Sequence, residues 1–303
     1  PNSYRKDPSH IKQTEAGQTL KDEWRVTWRK PEKGLYFDPV QYPLAGDLSI
    51  NDVYSFPWPN PVAKQLFEGL TQQAENAYTS GYAVLMEDFG AGILEQALRL
   101  RGYSQFYMDL VANTPLACRI LDKILELKIK YWEHALKKMG KYVQIIRYGD
   151  DLGGQDKLLI SPKTYRKILK PRQKELFTFL KRNFPDIYIM FHSDGAIYEI
   201  VPDLIEIGAD ILNPVQLSAQ GMEAKSLKKN FGDSITFWGA GVDTQRTLPG
   251  GTSKEIKEEV KERIDLLAPG GGFVFGTVHN IQDDVPPENV MAMWDTLQEA
   301  GQY

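Results

Sequence analysis

From residue 82 onward, short unbroken apolar runs alternate with longer stretches of helical period. The runs are Tyr82–Glu87, Tyr142–Tyr148, Ile187–Phe191, Ile211–Pro214, Ile235–Trp238 and Phe273–Val278. None alternates apolar with polar, so each predicts a strand buried on both faces, as in a parallel sheet. The intervening segments predict helices, among them the amphipathic run Pro115–Met139. Ser161-Pro162 opens a helix to about Asn183, with an N-cap serine and a proline in its first turn. Further helices are expected near 197–207, 222–230, 253–267 and 287–300. Six strands, each followed by helix, fit either a barrel or a doubly wound sheet. A barrel needs two more strands, which would lie before Pro1 or within 60–80. No internal repeat or low-complexity tract interrupts the pattern.

Upstream the pattern changes. Trp24–Trp28 and Leu35–Pro39 alternate apolar with polar, and Pro31-Glu-Lys-Gly34 between them is a turn. This reads as a β-hairpin within an irregular extension, residues 1–60, packed on a single domain that takes in the whole chain. Pro57-Trp58-Pro59 is stiff and extended, and Val62–Tyr78 predicts a helix.

Polar side chains gather where the strands end. The six runs lead into Glu87-Asp88, Gly149-Asp150-Asp151, His192-Ser193-Asp194-Gly195, Asn213-Pro214-Val215-Gln216, Gly239-Ala-Gly-Val-Asp243 and His279-Asn280. In parallel α/β folds these ends share one mouth, where active sites lie. The competing reading is that Asp151, Ser193 and Asp243 cap the helices that follow. Two of the four histidines sit at strand ends. His192, Asp194 and His279 together would suit zinc, iron or manganese. Asp150-Asp151 is a carboxylate pair fit for proton transfer, or for ordering a loop. Tyr148, Phe191 and Trp238 are either donor-binding rings at the mouth or barrel core. Arg147 and Lys157 are candidates to grip a carboxylate. Asn213, Gln216 and Asp243 are candidate substrate contacts. His10 and His134 read as solvated. Gly239-Ala-Gly241 and Pro269-Gly-Gly-Gly272 read as turns rather than phosphate cradles.

Composition narrows the function class. A net charge of −4, from 36 basic and 40 acidic residues, argues against a nucleic-acid surface. No apolar run approaches a membrane span, and the polar start carries no signal peptide. The single cysteine, Cys118, excludes an internal disulfide and fits a cytoplasmic setting. It reads as a small buried residue within a helix. Lys254–Arg263 reads as a solvated helix face.

A set of motifs completes the picture: Gly149-Asp-Asp-Leu-Gly153, Leu159-Ile-Ser-Pro162, His192-Ser-Asp-Gly195, Ile200-Val-Pro-Asp-Leu-Ile205, Asp210-Ile-Leu-Asn-Pro-Val-Gln216, Phe237-Trp-Gly-Ala-Gly-Val-Asp243 and Val278-His-Asn-Ile281. Together, over roughly residues 80–300, they resemble the uroporphyrinogen decarboxylase superfamily. The resemblance implies a (β/α)8 TIM barrel, here with an N-terminal β-hairpin extension. It also implies one of two chemistries: cofactor-free decarboxylation of a tetrapyrrole, or methyl transfer involving a corrinoid protein, usually with zinc. True decarboxylases grip substrate carboxylates with an arginine-rich N-terminal segment, whereas Arg25 and Arg29 lie in the hairpin. Zinc methyltransferases of the family carry His-x-Cys and a distant cysteine. Here His192-Ser-Asp194 stands in the first place and His279 near the second, so a harder ligand set replaces the thiolates.

The expectation is therefore a methyltransferase that takes a methyl group from a methoxylated small molecule, aromatic or otherwise, and passes it to a corrinoid protein. Zinc on His192, Asp194 and His279 would polarise the leaving oxygen. Asp150, Asp151 or Glu87 would relay a proton, with His192 also a candidate catalytic group. A homodimer is compatible with this. The alternatives are a decarboxylase of a small carboxylic acid or tetrapyrrole, and a non-catalytic ligand-binding barrel.

Overall fold

The computed structural model describes residues 11–14, 17–34 and 36–301. The chain falls into two compact units. One comprises Pro1–Asp150 with Thr164–Ile187, the other Asp151–Lys163 with Tyr188–Tyr303. His10 and Leu35, used in the sequence reading, lie outside the described residues.

The first unit opens with a four-stranded antiparallel meander: β1 (Lys12–Thr14), β2 (Gly17–Lys21), β3 (Thr27–Lys30) and β4 (Asp38–Gln41). The expected hairpin is present as β3 and β4, but its first strand starts three residues late. Residues 22–26 form a tight turn instead, with Arg25 at φ 68°. Asp22 holds it, accepting from the Val26 amide (2.9 Å) and from the Trp28 indole (2.7 Å). Trp24, Val26 and Trp28 are all buried, so the alternation recorded burial through a turn as well as along a strand.

In the same unit β5 (Leu85–Glu87) and β6 (Ile145–Gly149) pair in parallel, with Glu87 beside Arg147. Both are shorter than the apolar runs suggested. Tyr82 is exposed and residues 140–142 form a 3-10 turn. Helices α1 (Ile50–Ser55), α2 (Leu70–Thr79), α3 (Ile93–Arg101), α4 (Tyr103–Ala112) and α5 (Thr114–Met139) follow in chain order around these strands. The helix expected from Val62 begins only at Leu70, because Gly69 enters it in the left-handed region at φ 73°. The 60–80 stretch thus holds helix and no barrel strand. The helix expected after Ser161 runs through Pro162–Thr164 and a π-turn, Tyr165–Leu169, into α6 (Lys170–Asn183). The wide turn sits just before Pro171, which lacks the N–H that a regular ladder needs.

A buried ion pair anchors α5 to the end of β5. Lys128 is fully buried, and its Nζ donates to Asp88 Oδ2 (2.5 Å), to the Phe89 carbonyl (3.2 Å) and to the Ala91 carbonyl. His134, expected to be solvated, is half-buried against the Phe67 ring (centroids 4.8 Å apart). Burial, and next the Lys138 charge, hold its pKa below the usual value. Cys118 is half-buried.

The second unit carries β7 (Tyr188–His192), β8 (Ile211–Asn213), β9 (Thr236–Trp238) and β10 (Phe273–Val274), parallel neighbours in that order. Ile189, Phe191, Leu212 and Phe237 are fully buried, as unbroken apolar runs require. The ladder sets His192 beside Asn213. The last expected strand stops at Val274, although the carbonyls of Val274 and Gly276 go on accepting from Gly239 and Gly241. Helices α7 (Val201–Ile207), α8 (Ala224–Phe231), α9 (Ser253–Leu267) and α10 (Pro287–Ala300) complete the unit. A capping box between Thr252 and Glu255 starts α9. The glycine clusters are turns: Gly270, Gly271 and Gly272 all have φ between 70° and 79°. With two parallel strands in the first unit and four in the second, the described chain has the six that the apolar runs predict. Among the described residues no helix is long and apolar enough to cross a membrane.

Candidate functional site

The site grows from the end of β7. After His192 the chain turns back through Gly195 at φ 86°. There it meets segment 151–154 backbone to backbone. A Cβ on Gly195 would lie 2.5 Å from the Gly153 carbonyl and the Gly154 oxygen, and one on Gly153 would lie 2.7 Å from Asp194 O. Only glycine at both positions permits this approach. Hydrogen bonds then fix it. The Leu152 amide donates to Ser193 Oγ (2.9 Å), the Ala196 amide to the Gly154 carbonyl (2.8 Å), and the Asp194 amide to Asp151 Oδ1 (3.2 Å). The Gly195 amide donates to Gln216 Oε1 (2.9 Å), whose Nε2 reaches Gln155 Oε1 (2.9 Å).

The packed loops gather three ligand-bearing side chains. One donor atom each from Asp151, His192 and Asp194 lies within 4.8 Å of the other two. All three side chains are half-buried. His192 is oriented from β8: its Nδ1 lies 2.8 Å from Asn213 Oδ1, and Asn213 Nδ2 donates to the Trp238 carbonyl (3.2 Å). Because Asn213 donates through its nitrogen, its oxygen accepts. His192 therefore carries its proton on Nδ1 and its lone pair on Nε2. Asn213, a candidate substrate contact in the sequence, here orients an imidazole.

His279 stands at the rim of the cluster rather than within it. Its Nε2 is 4.0 Å from Asp194 Oδ2 and its side chain is exposed. Beside the two lies a cleft of about 550 Å³, bordered also by Gln155, Gln216, Gln245 and Asn280.

The remaining sequence candidates take other places. Asp150 and Asp151, adjacent in sequence, part company. Asp150 is fully buried in the first unit, where it caps α3. It accepts from the amides of Ile93 (3.1 Å) and Glu95 (2.8 Å), from the Tyr148 hydroxyl (2.5 Å) and from Gln173 Nε2 (3.0 Å). Burial pushes its pKa up to about 7, against the pull of these donors. Gly92 makes room, since a Cβ there would meet the Gly149 carbonyl and the Asp150 carboxyl. Tyr148, likewise buried, has its pKa raised, first by burial and then by the Asp150 charge, and packs edge-on against Phe177. Phe191 is fully buried, so both rings take the core role. Glu87 and Arg147 pair with each other (3.0 Å). Asp243 accepts from the Gln245 amide (2.7 Å) in a local turn. Lys157 borders a separate cavity of about 420 Å³ with Tyr198 and Glu199. Sequence reasoning set Asp151 aside for proton transfer and missed its place in the cluster. The flanking Gly153, which permits the loop contact, was the available signal.

Comparison with known proteins agrees with this architecture. The uroporphyrinogen decarboxylase (URO-D) family profile matches residues 91–300. The chain belongs to that family. The uroporphyrinogen decarboxylase of Legionella pneumophila (strain Corby) is 25% identical over 193 residues, covering 63% of this chain and 51% of that protein. That of Citrifermentans bemidjiense is 24% identical over 189 residues, covering 62% and 50%. The chain thus spans about half the length of the curated relatives it matches. Among solved structures, a methyltransferase from Methanosarcina mazei superposes with TM-score 0.69 at 19% identity, covering 92% of this chain and 77% of that one. The likeness gives the fold as the TIM-barrel type of this family, with six parallel strands among the described residues and a separate N-terminal antiparallel sheet.

Proposed function

We propose that the chain is a metal-assisted methyltransferase acting on a methyl ether, with a corrinoid protein as the methyl acceptor. The observation that carries this reading is the convergence of Asp151, His192 and Asp194 to within 4.8 Å beside a cleft. Two carboxylate oxygens and one imidazole nitrogen suit zinc, with manganese and iron as the competing ions. Donors on one such ion stand at most about 4.4 Å apart, so small side-chain rotations close the set. When bound, the ion supplies Lewis acidity toward an ether oxygen.

The chain's own residues do the rest. Asn213 holds His192 through Nδ1, so Nε2 is the nitrogen that would bind the ion. Asp151 and Asp194 are held in place by the paired glycine loops. His279, exposed on the cleft, hands a proton to the leaving oxygen; Asp150 and Glu87, the earlier candidates, are committed to α3 and to Arg147. The bond between methyl carbon and ether oxygen breaks with its electron pair on oxygen, which takes that proton. The methyl carbon bonds to the reduced cobalt of the partner corrinoid, whose electron pair makes the new bond. An alcohol and a methylated corrinoid leave.

The test is transfer to reduced cobalamin by the zinc-loaded protein, across a panel of methyl ethers. Loss of the cob(I)alamin spectrum with matching alcohol release supports the reading. Bound metal without transfer from any donor overturns it. Release of carbon dioxide without corrinoid would instead favour the decarboxylase chemistry of the named relatives. Against that stands the absence of any lysine or arginine among the described residues lining the cleft.

A further inference from the structure

The walls of the cleft bear on which methyl ether enters. We infer that the donor is neutral and polyhydroxylated, a methoxylated sugar or cyclitol rather than a methoxyarene or a carboxylated substrate. This rests on the methyltransferase reading and narrows it.

Carboxamides and a hydroxyl dominate the lining: Gln155, Gln216, Thr244, Gln245, Asn280 and Gln282. Gln155 and Gln216 are hydrogen-bonded to each other, so Thr244, Gln245 and Asn280 are the groups that face a ligand, each with a donor and an acceptor within one side chain, the complement of a hydroxyl group, which is also both. A row of such groups satisfies a polyol without leaving buried polar atoms unpaired. Charge points the same way. The described lining holds no lysine or arginine, while Asp194 and Asp284 both border it. With the ion and His279 both given to the ether oxygen, a carboxylate elsewhere on the substrate would meet Asp284 and find no lysine or arginine to pair with. A cation fares little better. With Asp194 engaged by an ion, only Asp284 remains, and among the described residues no phenylalanine, tyrosine or tryptophan borders the cleft to hold an ammonium group.

The same lack of rings counts against an arene. Val278 is the sole apolar side chain of the described lining. Of the three rings that the sequence offered, Tyr148 and Phe191 are buried in the cores of their units, and Trp238, half-buried, is not among the residues that border the cleft. An arene here would lay its faces on amides and water, without the apolar walls that aromatic ligands use. A cleft of about 550 Å³ lies within the size range of small-molecule sites.

The experiment is ligand-observed NMR and calorimetry on the zinc-loaded protein, with no corrinoid present. The probes are methyl α-D-glucopyranoside, pinitol, 3-methoxybenzoate, anisole and citrate. The expected result is saturation transfer to at least one of the two polyol ethers. Affinity should fall at least tenfold in Gln245→Ala and in Asn280→Ala, whose side chains are exposed, so that the fold is spared. Tighter binding of anisole, 3-methoxybenzoate or citrate than of either polyol ether overturns the inference. So does polyol binding that neither substitution weakens. Because the readout needs no turnover, the two claims separate. Polyol binding without methyl transfer would sink the methyltransferase reading alone. Transfer from anisole with no polyol binding would sink the donor class alone.

Discussion

Replacing Gly195 by alanine separates backbone strain from the loop contact that assembles the site. At φ 86° an alanine pays the left-handed penalty, about 1 kcal/mol. Its Cβ would also lie 2.5 Å from three backbone atoms of Gly153 and Gly154, none of which can rotate away. Forcing the two loops apart adds roughly 1–3 kcal/mol, as overpacking does in cores. The total expected loss is about 2–4 kcal/mol. Gly208 supplies the control: its φ is 101°, and a Cβ there would meet nothing within 4 Å. Gly208→Ala should therefore cost only about 1 kcal/mol. Urea unfolding of both variants beside the wild type, with slopes compared, reads the difference. Since Asp194 precedes Gly195 and its amide bonds Asp151, Gly195→Ala should also weaken zinc binding at least tenfold, and Gly208→Ala should not. Equal midpoints for the two variants would refute the argument that the loops are in backbone contact.

Three other outcomes follow from the same physics. Lys128→Met leaves the buried Asp88 carboxyl without its charge partner, so unfolding free energy should drop by about 3–5 kcal/mol; a drop under 1 kcal/mol would contradict the buried pair. Asp150 titrates near 7 when folded and near 3.8 when unfolded, so between those values the native state holds the extra proton. Its stabilising contribution is complete below about pH 3.8 and fades as pH rises toward 7, by about 2–3 kcal/mol from pH 5 upward. Asp150→Asn should flatten that slope in urea unfolding, and an unchanged slope would assign it elsewhere. Asn213→Ala frees the His192 ring and should lower zinc affinity about 10- to 100-fold in chelator competition, with thermal stability little changed; undiminished affinity would deny Asn213 its orienting role.

Long periodic segments were legible because amphipathic burial and caps agree there. The closing helix, Pro287–Ala300, and Ser253–Leu267 stand where the pattern put them. Strand ends were less legible. Apolar residues such as Tyr82 and Ile235 continue past the hydrogen-bonded ladder, and hydrophobicity does not record where pairing starts. The 17–21 strand escaped notice because only Leu20 and Gly17 in it are buried. The site was partly legible. His192 and Asp194 were singled out from strand-end position. The partners of Asp150 and Asp151 could not be read, because successive side chains on an extended segment point oppositely. One meets the N-terminus of α3 and the other the Asp194 amide. Nor does sequence show that Asn213 pairs with His192, which depends on the register of β7 with β8.

The most direct test is the metal content of the purified protein, wild type beside His192→Ala and Asp151→Asn. The account predicts about one zinc per wild-type chain after loading and dialysis, and loss of that zinc in both variants with the fold intact. Zinc retained in both variants, or no metal held by the wild type under any loading condition, would contradict it.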